Sequence, residues 1–310
     1  MSAEVETMFY TREKPWHGLG TMVRKAPTSE DALQLAGLDW EVVQEPVFTT
    51  HGDVINGYRA NVRNTDRKIL GVVTDRYKVV QNADAFAFTD SLLGNGVRYE
   101  TAGSLQEGRR VWLLARMPHE YIISGEHIAP YLVFSNAHDG SGAVKVAVTP
   151  IRVVCNNTLN LALKTAKRSW SMIHTGDIRE KMQEAKETLF FAEQYMDELG
   201  KEFDHLRQIR LSDDKVNEFI ETLLPLDKSA TEIQKKNIER QREDMRFRYA
   251  KAPDLKDLGK NAYRFINAVS DHATHAEPIR RTENYKDNLF GRTIDGNSLI
   301  DKAYSLVMAA

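Results

Sequence analysis

Between Gly140 and Gly176 the chain carries no aspartate or glutamate, while Lys145, Arg152, Lys164, Lys167 and Arg168 all fall inside this window. In a chain of formal net charge -2, a one-signed stretch of this length is a local attraction for anions, and its Asn, Thr and Trp neighbours add hydrogen bonds and a stacking surface. The chemistry on offer is electrostatic capture of a phosphate backbone. Arg109 and Arg110 on a hairpin join these cations, and Trp170 and Tyr99 supply rings on which bases can stack. The competing reading is intramolecular, with the basic run offsetting an acidic helix expected to begin near Asp177.

Other reactive residues carry weaker signals. Cys155, the sole cysteine, could be activated by His138 or His174, since a thiolate needs a nearby imidazole or a helix N-terminus to be populated at neutral pH. Its neighbours Val153 and Val154 favour a buried structural thiol instead. His272 and His275 form an HxxH pair beside Asp271 and Glu277, and His138-Asp139 is a further pair. No CxxC, HExxH or EF-hand spacing accompanies them, so no metal is expected. The glycine pairs Gly18/Gly20, Gly94/Gly96 and Gly140/Gly142 lack the residues that complete a Walker or dinucleotide loop, so they read as turns, and no cofactor is expected. Lys235, Lys236, Arg240, Arg242, Arg246 and Arg248 alternate with Glu239, Glu243 and Asp244, the pattern of a solvated helix laced by ion pairs.

The elements that must position these residues change character along the chain. Trp40 to Thr50, Ile55 to Arg63, Ile69 to Val73, Val97 to Ala102, Arg109 to Met117, Ile128 to Asn136 and Ala143 to Val148 are short runs rich in Val, Ile, Tyr and Phe, punctuated by Gly and Asp. They predict a largely antiparallel sheet. Ser104 to Gly108 reads as a hairpin loop, and Asn82 to Leu93 as a capped helix. Val153 to Ala166 predicts a helix following the last strand across Pro150. From Ile178 the spacing turns helical: Ile178 to Phe203, Asp213 to Leu224, Thr231 to Tyr249, Leu258 to His272 and Ser298 to Met308, with Glu277 to Thr293 as a long polar loop. The expected class is α+β: a sheet with a few helices in residues 1–175, and an all-α domain or extension in residues 176–310.

With 310 residues, 42% hydrophobic and 28% charged, the composition is that of a globular chain, and a pI near 6.5 excludes a protein that coats nucleic acid through overall charge. The acidic N-terminus and the lack of a run of about eighteen apolar residues predict neither an export signal nor a membrane span. With one cysteine the expected compartment is the reducing cytoplasm of a host cell.

Several phrases resemble the phage and plasmid-like proteins built on domain of unknown function 932: Pro15-Trp-His-Gly-Leu-Gly20, Tyr77-Lys-Val-Val-Gln-Asn82, Thr101-Ala-Gly-Ser-Leu105 with Gly108-Arg109, His138-Asp-Gly-Ser141, and Thr149-Pro-Ile-Arg-Val-Val-Cys-Asn-Asn-Thr-Leu159. Asn267-Ala-Val269 with Asp271-His272 fits less sharply, and Asn156 stands where the resemblance leads one to expect Gln. The resemblance highlights Trp16, His17, Tyr77, Asn82, Gly103, His138, Asp139, Arg152, Cys155, Asn157 and Thr158, and implies a mobile genetic element without implying an activity. Joined to the basic window, it leads to the expectation of a non-enzymatic binder of nucleic acid, in particular single-stranded DNA, working in replication or recombination as a homo-oligomer. The alternatives are a counter-defence factor that binds a host protein or small ligand near Trp16, His17 and His138, and a Cys/His enzyme.

Overall fold

A computed structural model describes residues 5–11, 20–94, 97–117, 121–123, 126–152, 169–190, 192–253, 255–276 and 297–310. The expected helix Val153 to Ala166 and the polar loop Glu277 to Thr293 lie outside these. The chain divides into two compact units, neither continuous in sequence. One comprises Met1–His119, Tyr131–Val148 and Arg168–Ala192, the other Glu120–Pro130, Thr149–Lys167 and Glu193–Ala310.

The chain is α+β with mostly antiparallel sheets, and helices occur in both halves. In the first unit, β1 (Val5–Tyr10), β2 (Thr21–Met22) and α1 (Ser29–Leu35) precede a three-stranded meander of β3 (Val42–Phe48), β4 (Val54–Arg63) and β5 (Ile69–Thr74). Next along the chain come α2 (Asn82–Leu93), β6 (Arg98–Leu105), β7 (Arg110–Arg116), β8 (Tyr121–Ile123), β9 (Glu126–Ala137), β10 (Val144–Arg152), β11 (Ser169–Met172) and α3 (Ile178–Phe190), of which β8, the start of β9 and the end of β10 count with the second unit. The larger sheet runs β11-β10-β9-β7-β6-β1-β2, with β8 pairing β9; β1 and β2 pair in parallel.

Each of the seven strand runs read from the sequence is present. The β6–β7 turn matches the expected hairpin loop: Gln106, Glu107 and Gly108 take φ of 53°, 60° and 87°, so two non-glycine residues sit in the left-handed region here. Gly103 is required for space. A Cβ there would lie 2.3 Å from the Thr7 carbonyl oxygen and 2.8 Å from Trp112 Cη2. Helix α2 starts with a capping box between Gln81 and Asp84 and lays Phe86 and Phe88 against Tyr99 and Phe134, at ring separations of 5.0 and 6.1 Å.

In the second unit α4 (Ala192–Gln208), α5 (Asp213–Leu223), α6 (Glu232–Lys251), α7 (Ala262–His275) and α8 (Ser298–Met308) surround a core of Tyr195, Leu199, Phe203, Phe219, Tyr263, Phe265 and Ile300. Ser212, Thr231, Asn261 and Asn297 cap α5 to α8 by accepting from backbone N–H groups. Of the helix expected over Ile178 to Phe203, Ile178–Phe190 and Ala192–Gln208 are helical on either side of residue 191, which lies outside the described residues. On α6 one pair has the expected four-residue spacing, Arg248 with Asp244 at 2.7 Å, while Arg246 and Arg242 reach Glu239 at 2.7 and 3.3 Å and Lys235 reaches Glu232 at 2.8 Å.

Candidate functional site

The segment Tyr77–Asn82, which leads from the turn after β5 into the first residue of α2, uses nearly every residue as a joint. Tyr77 Oη donates to the Ala137 carbonyl at 2.8 Å. Lys78 is clasped twice by His174, whose carbonyl accepts from Lys78 N–H at 2.8 Å and whose Nδ1 faces the Lys78 carbonyl at 2.9 Å. The Val80 carbonyl accepts from Asn136 Nδ2 at 3.0 Å, and the Gln81 side chain meets both backbone groups of Val42 at 2.9 Å. Asn82 Nδ2 donates to the carbonyls of Leu38 and Trp40 at 3.0 and 3.3 Å.

At the centre lies His138, with no solvent exposure. Its Nε2 is 3.0 Å from Asn82 Oδ1, and because the Asn82 amide nitrogen is committed to two carbonyls, that oxygen must accept and Nε2 must carry the proton. Nδ1 is then the bare nitrogen, buried with no hydrogen-bond partner. A second proton there would be a charge without an acceptor, so burial, helped by the neighbouring His174, pushes the imidazole down to about 3. His174, stacked on Tyr77 at 4.3 Å, is also lowered by burial. The Tyr77 hydroxyl is raised by burial and then by Asp139.

The three-stranded sheet is tied to the same point. Asn61 Nδ2 donates to the His138 carbonyl at 2.6 Å while Gln44 Nε2 donates to Asn61 Oδ1 at 3.0 Å. Gly71 lies so close beneath the turn that a Cβ would come within 2.6 Å of Asp139 Cα. Trp40 stands edge-on to His138 at 5.4 Å, and its other neighbour is Arg63, whose guanidinium carbon lies 5.3 Å from the ring centroid. Arg63 is buried and forks to Glu6 at 2.8 and 2.9 Å and to Asp66 at 2.7 and 2.9 Å. That pairing pulls the Asp66 carboxyl down to about 2 and raises Arg63 further.

The expected cations divide as follows. Arg109 is exposed in the β6–β7 turn, and its carbonyl accepts from His138 N–H at 2.7 Å, which binds this turn to the β9–β10 turn. Arg110 is half-buried at the start of β7 opposite Ala137, and a Cβ on Gly142 would lie 4.0 Å from its Nη2. Arg109, Arg110 and the His138–Gly142 tip therefore share one end of the sheet. Two acids sit among them: Asp139 in the tip itself and Glu107 in the β6–β7 turn, the latter held low by Lys68 first and by Arg109 among lesser contributors. Lys145 faces Ser171 across β10 and β11, whereas Trp170 faces Val146, so Lys145 and Trp170 project from opposite faces of that pair. Trp16, His17, Cys155, Asn157, Lys164, Lys167 and Arg168 lie outside the described residues, and of Arg152 only the backbone, at the end of β10, is described.

The network's partners Gln44, Asn61, Arg63 and Trp40 escaped the sequence reading. A signal existed: Arg59, Asn61 and Arg63 alternate with Ala60 and Val62, and so share one face of a strand. A second polar chain links α6 to α7. His272 Nδ1 contacts Asp244 at 2.6 Å, Arg248 bridges Asp244 and Asp271 at 2.7 and 2.6 Å, and His275 Nδ1 contacts Asp271 at 2.9 Å. Among the described residues, no group of three or more His, Cys, Asp or Glu is arranged to hold a metal ion, and no helix is long and apolar enough to cross a membrane.

The first unit is thus α+β, with Tyr77, Asn82 and His138 forming a buried hydrogen-bonded joint at one end of the larger sheet. The chain matches the family model described as Domain of unknown function (DUF932) over residues 69–291, and it belongs to that family. The match opens at the first residue of β5 and takes in both the Tyr77–Asn82 segment and the His138 turn. No curated protein and no solved structure matches it.

Proposed function

We propose that this chain is a non-enzymatic protein of a mobile genetic element that binds nucleic acid, in particular single-stranded DNA, in support of annealing or recombination. The observation that carries the reading is the corner where Arg109 and Arg110 meet the His138–Gly142 tip, from which the acid-free window through Lys145 departs. Two adjacent arginines whose backbone is fixed by a hydrogen bond carry planar guanidinium forks, the geometry that matches phosphate oxygens. The corner's own carboxylates are engaged: Asp139 Oδ1 accepts from Ser141 N–H at 2.8 Å, and Glu107 pairs with Lys68 at 2.9 Å.

The test is fluorescence anisotropy with a labelled single-stranded oligonucleotide, comparing the wild type with Arg109→Ala/Arg110→Ala. Binding at low salt that weakens about tenfold or more in the variant supports the reading, since each phosphate contact contributes to a salt-dependent affinity. No binding by the wild type at low salt overturns it.

A further inference from the structure

Helix α6 sorts its cations by face. Lys235, Arg242, Arg246 and Arg248 are taken up by the carboxylates of Glu232, Glu239, Glu221, Asp244 and Asp271, and Arg242 also donates to the Leu224 carbonyl. Lys236, Arg240 and Lys251 are exposed and have no ion-pair partner among the described residues. At about 100° per residue these three lie within about 60° of one another and of Ile233 and Phe247, on the side of the helix opposite buried Met245 and Tyr249. Ile233 is 74% and Phe247 65% exposed, so the unpaired cations and the exposed large apolar side chains of α6 form one stripe, about 27 Å long. Two acids border it: Asp244 is engaged by Arg248 and His272, and Glu243 stands exposed at the other edge. Three unpaired cations therefore face one unpaired carboxylate.

We propose that this stripe is a second nucleic-acid contact, carried by the helical unit, which takes a single strand with its phosphates on Lys236, Arg240 and Lys251 and a base against Phe247. Charge complementarity selects a polyanion, and a ring set among cations is the combination that holds unpaired bases without reading their sequence. A membrane surface fits less well. Ile233 and Phe247 stand about 21 Å apart along the helix, which is not the continuous apolar face that an interfacial helix buries in lipid. The proposal rests on the reading of the chain as a binder of nucleic acid, but it uses none of the residues of the Arg109–Arg110 corner.

Fluorescence anisotropy of a labelled single-stranded oligonucleotide at low salt, with the full chain, sets the wild type against Lys236→Ala/Arg240→Ala/Lys251→Ala, Phe247→Ala and the corner variant Arg109→Ala/Arg110→Ala. All four α6 positions are exposed and alanine favours helix, so α6 is kept; Lys236→Arg/Lys251→Arg and Phe247→Trp, which preserve charge and ring, should bind as the wild type does. The triple variant and Phe247→Ala should each lose about tenfold in affinity. If both bind as tightly as the wild type while the corner variant is weakened, the α6 proposal fails and the corner stands. If both are weakened while the corner variant is not, the corner fails and α6 stands. A wild type that binds no oligonucleotide overturns the two together. Phosphatidylserine vesicles that capture the wild type and not the triple variant, with oligonucleotide binding unmoved, would make the stripe a membrane contact and overturn the proposal.

Discussion

The bare Nδ1 of His138 makes the joint sensitive to acid. The unfolded chain takes up a proton near the ordinary 6.5, the folded chain only near 3, so protons favour unfolding as the pH drops below 6.5. The contribution is intact above that value and is lost on acidification at about 1.4 kcal/mol per pH unit, with His174 adding in the same direction. Denaturant titrations at pH 7 and pH 5, followed by the fluorescence of buried Trp40, should show the wild type losing about 2 kcal/mol more than His138→Gln over that interval. Equal losses in the two proteins would remove the histidine from the account. Arg63 is a second sensitive point: Arg63→Met strands Glu6 beside Trp40 and is expected to cost about 3 kcal/mol in the same assay, whereas a change below about 0.5 kcal/mol would mean that solvent satisfies Glu6 unaided.

Between elements, contact depends on the absence of side-chain atoms as much as on their presence. Gly71→Ala places a methyl carbon 2.6 Å from Asp139 Cα at a residue whose own φ is ordinary, so the cost is purely one of crowding. Hydrogen exchange should report faster opening at His138 N–H, and unchanged protection there would show that β5 can shift away freely. Arg248→Met likewise removes the bridge between Asp244 on α6 and Asp271 on α7, with an expected loss of about 2 kcal/mol measured by denaturant. The strands and α2 were legible in the sequence because period-two runs and the residues around Asn82 are local signals. Strand β1 was not, since its burial comes from β6 far along the chain, and short α1, β2, β8 and β11 offer too few residues for a period to emerge. The candidate corner was legible only in part. Arg109 and Arg110 stood out as cations, but their meeting with the His138 turn rests on a backbone hydrogen bond that no spacing encodes.

For the molecule as a whole, a net charge of -2 means that any polyanion is held by a small set of contacts against weak general repulsion. If Arg109, Arg110 and Lys145 each touch one phosphate, the logarithm of the association constant should fall against the logarithm of salt with a slope of about -2, at roughly 0.7 per contact on a single strand. A slope near zero would exclude phosphate recognition by these residues. The interleaving of the two units, which local composition does not betray, also bears on synthesis. Because the first unit closes only with Arg168–Ala192 and the second only with Glu193–Ala310, a chain emerging from the ribosome holds its early strands unfinished through the whole of the second unit's first two segments. Fragments cut anywhere before Ala192 lack a piece of both folding partners, so shorter expression products should be captured by chaperones or proteases where the intact chain is not.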